Sequence, residues 1–88
     1  MFSEEWFVVV NPQSGGGKGK KFWEKKAEKK MKKANIAFQA KYTEYQGHAI
    51  VLVTEAIRNG FRKIIAVGGD GTYNEVVNGI FFHQNHKN

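Results

Sequence analysis

The chain has 88 residues, 41% of them hydrophobic and 25% charged. This is enough for one domain or part of one, and it excludes two independent cores as well as wholesale disorder. It contains no cysteine, which excludes disulfide staples, thiolate metal sites and thiol nucleophiles together. No apolar run approaches the ~20 residues a bilayer span needs, and Met1-Phe2-Ser3-Glu4-Glu5 lacks the basic, then apolar, opening of a secretory signal. A cytoplasmic protein is expected. The net charge of +6 and a pI near 9.7 favour anionic partners: nucleotides, nucleic acid or acidic lipid surfaces.

The first predicted element is a strand over Trp6-Phe7-Val8-Val9-Val10, apolar and rich in β-branched residues, ended by Asn11-Pro12. Ser14-Gly15-Gly16-Gly17-Lys18-Gly19 follows as a loop or the mouth of a helix. A helix is predicted from Lys20 to Ala34, with Trp23, Ala27, Met31 and Ala34 on its inner stripe and Asn35 as a left-handed stop. Its outer face is lysine: nine of the fourteen positive charges lie between Lys18 and Lys33, relieved only by Glu24 and Glu28.

Residues Ile36 to Tyr42 alternate, with Ile36, Phe38, Ala40 and Tyr42 on one side, which predicts a half-exposed edge strand. A second helix is expected after Gly47, running to about Asn59 and burying Ala49, Ile50, Leu52, Val53, Ala56 and Ile57, with Gly60 as its stop. Lys63-Ile64-Ile65-Ala66-Val67 reads as a third, interior strand. Gly68-Gly69-Asp70-Gly71 leads into a third helix, which Thr72-x-x-Glu75 would open as a capping box and Asn78-Gly79 would close near Val77. The tail from Phe81 to Asn88 has two aromatics and then no pattern.

This order, β-α-β-α-β-α, predicts a three-layer α/β fold: a parallel sheet of strand order 2-1-3 with crossover helices, Rossmann-like in style. Ligands of such sheets sit beyond the carboxyl ends of the strands where the winding reverses, between the first and third strands here. Both glycine-rich segments leave from that point. The third strand would present an open backbone edge, through which self-association is a secondary expectation.

Asn11-Pro12-Gln13-Ser14-Gly15-Gly16-Gly17-Lys18-Gly19-Lys20 has the amide-rich composition of a phosphate cradle at a helix mouth. It is neither a Walker A loop, since Ser14 and Lys21 occupy required positions, nor a dinucleotide fingerprint, since Lys20 replaces the third glycine. In Gly68-Gly69-Asp70-Gly71-Thr72 a carboxylate stands among the glycines. Two like charges 4 Å apart cost about 1 kcal/mol in water and about 4 kcal/mol at an effective dielectric of 20. Beside a phosphate, Asp70 therefore makes sense facing a magnesium ion shared with that phosphate, or accepting a hydrogen bond from a sugar or substrate hydroxyl. Otherwise it is an aspartate in a tight turn. Histidines 48, 83 and 86 show no metal-ligand spacing, and His48 is read as orienting the loop before the second helix.

Three segments together, Asn11-Pro-x-Ser14-Gly15, Thr43-x-x-x-Gly47-His48-Ala49 and Gly68-Gly-Asp-Gly-Thr72-x-Asn74-Glu75-Val-Val-Asn78-Gly79, resemble the diacylglycerol kinase catalytic domain family, which includes bacterial lipid kinases and ceramide and sphingosine kinases. The resemblance implies an ATP-dependent, magnesium-assisted lipid kinase of two domains, acting on a lipid hydroxyl such as that of diacylglycerol, of which residues 1–88 are the opening of the nucleotide-binding domain. It implies cofactor contacts from Asn11, Ser14, Gly15, Thr43, Gly68, Gly69, Asp70, Gly71, Thr72 and Asn74, with Asp70 as the magnesium contact. No catalytic residue falls in these 88 residues, because the family's general base lies in its second, β-rich domain, so the piece is expected to be inactive alone. The lysine face would suit a peripheral anionic surface at the inner membrane face, and nucleic acid is not an expected partner. Two alternatives are an NAD kinase-like enzyme, which shares Gly-Gly-Asp-Gly-Thr, and a basic nucleic-acid-binding module, which explains the charge and leaves that loop unexplained.

Overall fold

The computed structural model describes residues 4–86, with side chains up to Phe82; the opening Met1 to Ser3 and the last two residues of the tail lie outside the described residues. Strands β1 (Trp6–Val10), β2 (Phe38–Tyr42) and β3 (Lys63–Val67) form one parallel sheet in the order β2-β1-β3. Both ladders are continuous, pairing Trp6 with Phe38 and Lys63 at one end and Val10 with Tyr42 and Val67 at the other. β1 takes the centre because it alone is apolar enough to be covered on both faces: Val8, Val9 and Val10 are fully buried and Phe7 nearly so.

The helices lie in two layers. On one face is a long helix made of α1 (Ser14–Phe22), a π-helical turn (Trp23–Ala27) and α2 (Glu28–Lys33). It buries Trp23 against Val8, Val10 and Val67, with Ala27 and Met31 alongside, and the Trp23 ring meets Phe38 edge-on at 5.3 Å. On the other face, α3 (His48–Arg58) and α4 (Asp70–His86) cover Phe7 and Val9 with Ala49, Val53, Ala56 and Val76. Phe61 closes that layer, its ring 5.3 Å from that of Phe7. The expected three-layer α/β architecture and strand order 2-1-3 are what the chain adopts.

Several local expectations need correction. The first helix starts before Lys20, but Gly15, Gly16 and Gly17 at its head have φ of 61°, 69° and 100°, so its opening turn is left-handed and the right-handed helix begins at about Lys18. Ala34 is exposed, and Asn35 is left-handed at φ 58° as its sequence position suggested. Along β2 the alternation does not bury a face: Phe38 is half-buried, while Ile36, Ala40 and Tyr42 are exposed. β3 is the sheet's second edge and half-buried, not interior, because the described residues supply no strand beyond it.

The largest correction concerns α4. It does not stop at Asn78-Gly79 but runs on to His86, taking in most of the unpatterned tail. Gly79 is buried inside it, where a β-carbon would come within 3.0 Å of both the Ile50 carbonyl oxygen and Val53 Cβ. Its role is close approach of two helices. The Thr54 hydroxyl donates to the Ile50 carbonyl (2.8 Å) and reaches the Gly79 carbonyl at 3.3 Å across the same contact.

Candidate functional site

The carboxyl ends of all three strands open on one rim. The Asn11 N–H continues the β1–β3 ladder to the Val67 carbonyl (2.9 Å), and the Thr43 N–H continues the β1–β2 ladder to the Val10 carbonyl (2.8 Å). Backbone pairing thus fixes where both residues leave the sheet. Asn11 then organises the turn that follows: its Oδ1 accepts the Gln13 N–H (3.0 Å), its carbonyl accepts the Ser14 N–H (3.2 Å), and its Nδ2 donates to the Thr72 hydroxyl (3.1 Å). That last bond joins the first glycine loop to the second.

The two loops lie side by side. A β-carbon on Gly69 would sit 3.6 Å from Ser14 Oγ, ordinary contact distance. Gly68 must be glycine, since a β-carbon there would fall 2.7 Å from Thr72 Cβ. Gly19 is equally constrained, its β-carbon position being 2.6 Å from the Asn11 carbonyl oxygen. Gly16, Gly17 and Gly71 have open space where a side chain would be, and the Gly16 N–H is given to the Gln13 carbonyl (3.2 Å). Asp70 opens α4, and the Tyr73 N–H makes an early helical bond, to the Gly69 carbonyl (3.1 Å). The first amides of such a helix have no partner within it and carry partial positive charge.

A cleft of about 470 Å³ lies at this rim, walled by Asn11–Gln13 after β1, by residues 43–46 after β2, and by Gly71, Thr72 and Glu75 of α4. Of the residues singled out from sequence, Asn11, Thr43, Gly71 and Thr72 line this cleft. Ser14, Gly15 and Gly68 line a second groove of about 690 Å³, between the long helix and β3, and Gly69 sits next to Ser14. Asp70 is exposed at the head of α4, and Asn74 is exposed and lines neither space. Among the described residues no three His, Asp or Glu side chains are grouped to hold a metal.

Glu75 departs from its expected role. It is not the far half of a capping box on α4, because that helix already begins at Asp70. Its carboxylate instead caps α3, accepting the Gly47 N–H on Oε2 (3.0 Å) and the Ala49 N–H on Oε1 (3.3 Å). The N-cap of α3 is Gly47 at φ 93°, which has no side-chain oxygen to offer. That absence was the signal in the sequence: a helix opened by glycine leaves amides for some other group to satisfy. From the other side, His48 Nδ1 accepts the Glu44 N–H (2.9 Å) and its ring stacks on Tyr45 at 4.3 Å, which gives His48 the loop-orienting position read from sequence. Tyr45, Gln46 and Gln13, none of them singled out beforehand, complete the cleft wall.

The chain is thus a parallel α/β sheet whose two glycine loops meet at the winding reversal, one of them opening a helix beside a carboxylate. Comparison with known families is more specific. Residues 5–87 match the model of the diacylglycerol kinase catalytic domain, and the chain belongs to that family. It is similar to sphingoid long chain base kinase 5 of Saccharomyces cerevisiae (35% identical over 80 residues, 91% of this chain), to a ceramide kinase of Arabidopsis thaliana (41% over 76 residues, 82%) and to sphingosine kinase 1 of Rattus norvegicus (33% over 73 residues, 83%). The chain spans 12%, 12% and 19% of those relatives' own lengths. No helix among the described residues is long and apolar enough to cross a membrane.

Proposed function

We propose that these residues form the nucleotide-binding opening of an ATP-dependent kinase that phosphorylates a lipid hydroxyl, with diacylglycerol as the representative substrate. The observation that carries this reading is the Asn11–Thr72 hydrogen bond, which ties the two glycine loops into one rim beside a cleft that Thr43 also lines. Asn11, Thr43, Gly71 and Thr72 would face the nucleotide, while Gly15, Gly68 and Gly69 would offer amides and Ser14 its hydroxyl to the phosphates, with Asn74 nearby on α4. Open space around Gly17 and Gly71 fits a phosphate chain, which needs close approach of N–H groups. Asp70 fits magnesium, which retains most of its waters and takes one or two protein carboxylates. Bound there, the ion would neutralise charge on the phosphates, while the loops' task is positioning.

We further propose that the 88 residues are the first part of a larger catalytic domain and are inactive alone. Among the described residues β3 pairs with β1 alone, and the groove beside it has an apolar floor of Trp23, Met31, Ile65 and Val67, a surface suited to further strand and chain. A second copy of the chain on that edge is the alternative occupant. Glu75 is committed to two backbone amides, which leaves the general base to be supplied from elsewhere in a longer protein. The lysine face of α1–α2 suits the anionic inner membrane surface of a cytoplasmic enzyme, at about 1 kcal/mol per lysine close to it.

The test is calorimetric titration of Mg-ATP into the chain and its Asp70→Asn and Gly69→Ala variants. Gly69 has room for a methyl group, so the alanine form is expected to fold and to bind several-fold more weakly. Unchanged affinity in both variants would remove these loops from the site.

A further inference from the structure

Thr43 belongs to the cleft only if the segment that follows it stays in place. That segment is exposed from Glu44 to Gln46, contains no regular structure between β2 and α3, and ends at a left-handed glycine. The groups holding it are few. His48, the first residue of α3, binds the Glu44 N–H. Glu75 binds from outside it, from the second turn of α4, three residues beyond Thr72 and on the cleft wall. One carboxylate carried on α4 therefore holds the end of the 43–47 segment through the Gly47 N–H and the first turn of α3 through the Ala49 N–H.

From this we infer that Glu75 is a positioning residue that locks the 43–47 segment to the head of α4, so that Thr43 and the Gly68–Thr72 loop respond to a bound nucleotide as one unit. The physical basis is the strength of N–H bonds to an ionised acceptor, roughly twice that of neutral pairs, at a helix end whose own cap residue supplies none. The identity of the ligand rests on the nucleotide reading above; the lock itself does not.

The experiment is amide-resolved NMR on the 88-residue chain and its Glu75→Gln and Glu75→Ala variants, with circular dichroism to establish folding. Without ligand, Gly47 and Ala49 amides are expected to exchange at least about tenfold faster in Glu75→Ala, while β1 amides keep their protection, with Glu75→Gln intermediate because it keeps one acceptor oxygen. With Mg-ATP, the unaltered chain is expected to shift at Gly69–Thr72 and at Thr43 together. In Glu75→Gln the shift at Gly69–Thr72 should persist and that at Thr43 should shrink, a split that a merely stabilising residue would not produce. Equal shifts at Thr43 in both proteins, or unchanged exchange at Gly47 and Ala49, would overturn the inference. No shift at Gly69–Thr72 in the unaltered chain would overturn the nucleotide reading instead, and the exchange comparison would still decide the lock. Should Glu75→Ala fail to fold, the glutamine form carries both measurements.

Discussion

The Asn11 side-chain amide donates to the Thr72 hydroxyl at 3.1 Å, across 61 residues of sequence, and Thr72 is only 5% exposed. A short strand's exit and a helix's first turn are thereby joined by a bond neither element could supply alone. Removing the amide in Asn11→Ala would leave the buried hydroxyl without this donor and is expected to cost about 1–3 kcal/mol in urea unfolding. In a double-mutant cycle with Thr72→Val, a coupling of about 0.5–1.5 kcal/mol is expected. Additive effects would show that the bond contributes nothing to stability.

Two glycines should be intolerant of alanine for different reasons from the rest. At Gly19 the new methyl would meet the Asn11 carbonyl oxygen at 2.6 Å, and at Gly79 the Ile50 carbonyl oxygen at 3.0 Å. Both contacts are with backbone, so relief requires the long helix to move off the sheet's rim or α3 and α4 to separate. A loss of about 1–3 kcal/mol is expected for each, despite alanine's better helix propensity. Gly71→Ala, with open space around it, is the control and should unfold at nearly the same urea concentration as the parent.

Trp23 is the largest fully buried side chain among the described residues, and it fills the layer between the long helix and the sheet. Truncation in Trp23→Ala is expected to cost about 3–5 kcal/mol, against under about 1 kcal/mol for the exposed neighbour Phe22→Ala. Similar losses at both positions in denaturant unfolding would mean that the helix docks by another face.

Tyr42 at the sheet's edge donates its phenol proton to Glu24 on the π-helical turn. That bond, then burial, then the carboxylate charges of Glu24 and Glu28 push its pKa up from 10.0 to about 12. The sign follows: the stabilisation is fully present below the unfolded tyrosine's pKa and is lost as pH rises through the folded value near 12. Phenolate absorbance in a Tyr45→Phe, Tyr73→Phe background should therefore titrate late, and Glu24→Gln should bring it back toward the ordinary value. A Tyr42 transition unmoved by Glu24→Gln would refute the pairing.

Much of the frame was legible because it is local. Val8, Val9 and Val10 announce a central strand, Trp23-x-x-x-Ala27-x-x-x-Met31 an inward stripe, and Asn35 and Gly60 their stops. The misreadings share a cause, which is that long-range partners override local pattern. Asn78-Gly79 has the composition of a helix end, yet α3 packs so closely on α4 that Gly79 is needed inside the helix. Thr72-x-x-Glu75 has capping-box spacing, yet Thr72 is held by Asn11 and Glu75 caps another helix. The alternation from Ile36 to Tyr42 could not reveal that most of β2 would stay uncovered.

The central claim is that both glycine loops hold one metal-bound polyphosphate. The direct measurement is paramagnetic broadening of the chain's amide spectrum by Mn-ATP, using Mg-ATP as the diamagnetic reference. Broadening centred on Ser14–Gly17 and Gly69–Thr72 together is the expected result. Broadening confined to the lysines between Lys20 and Lys33, or spread evenly over the surface, would contradict it.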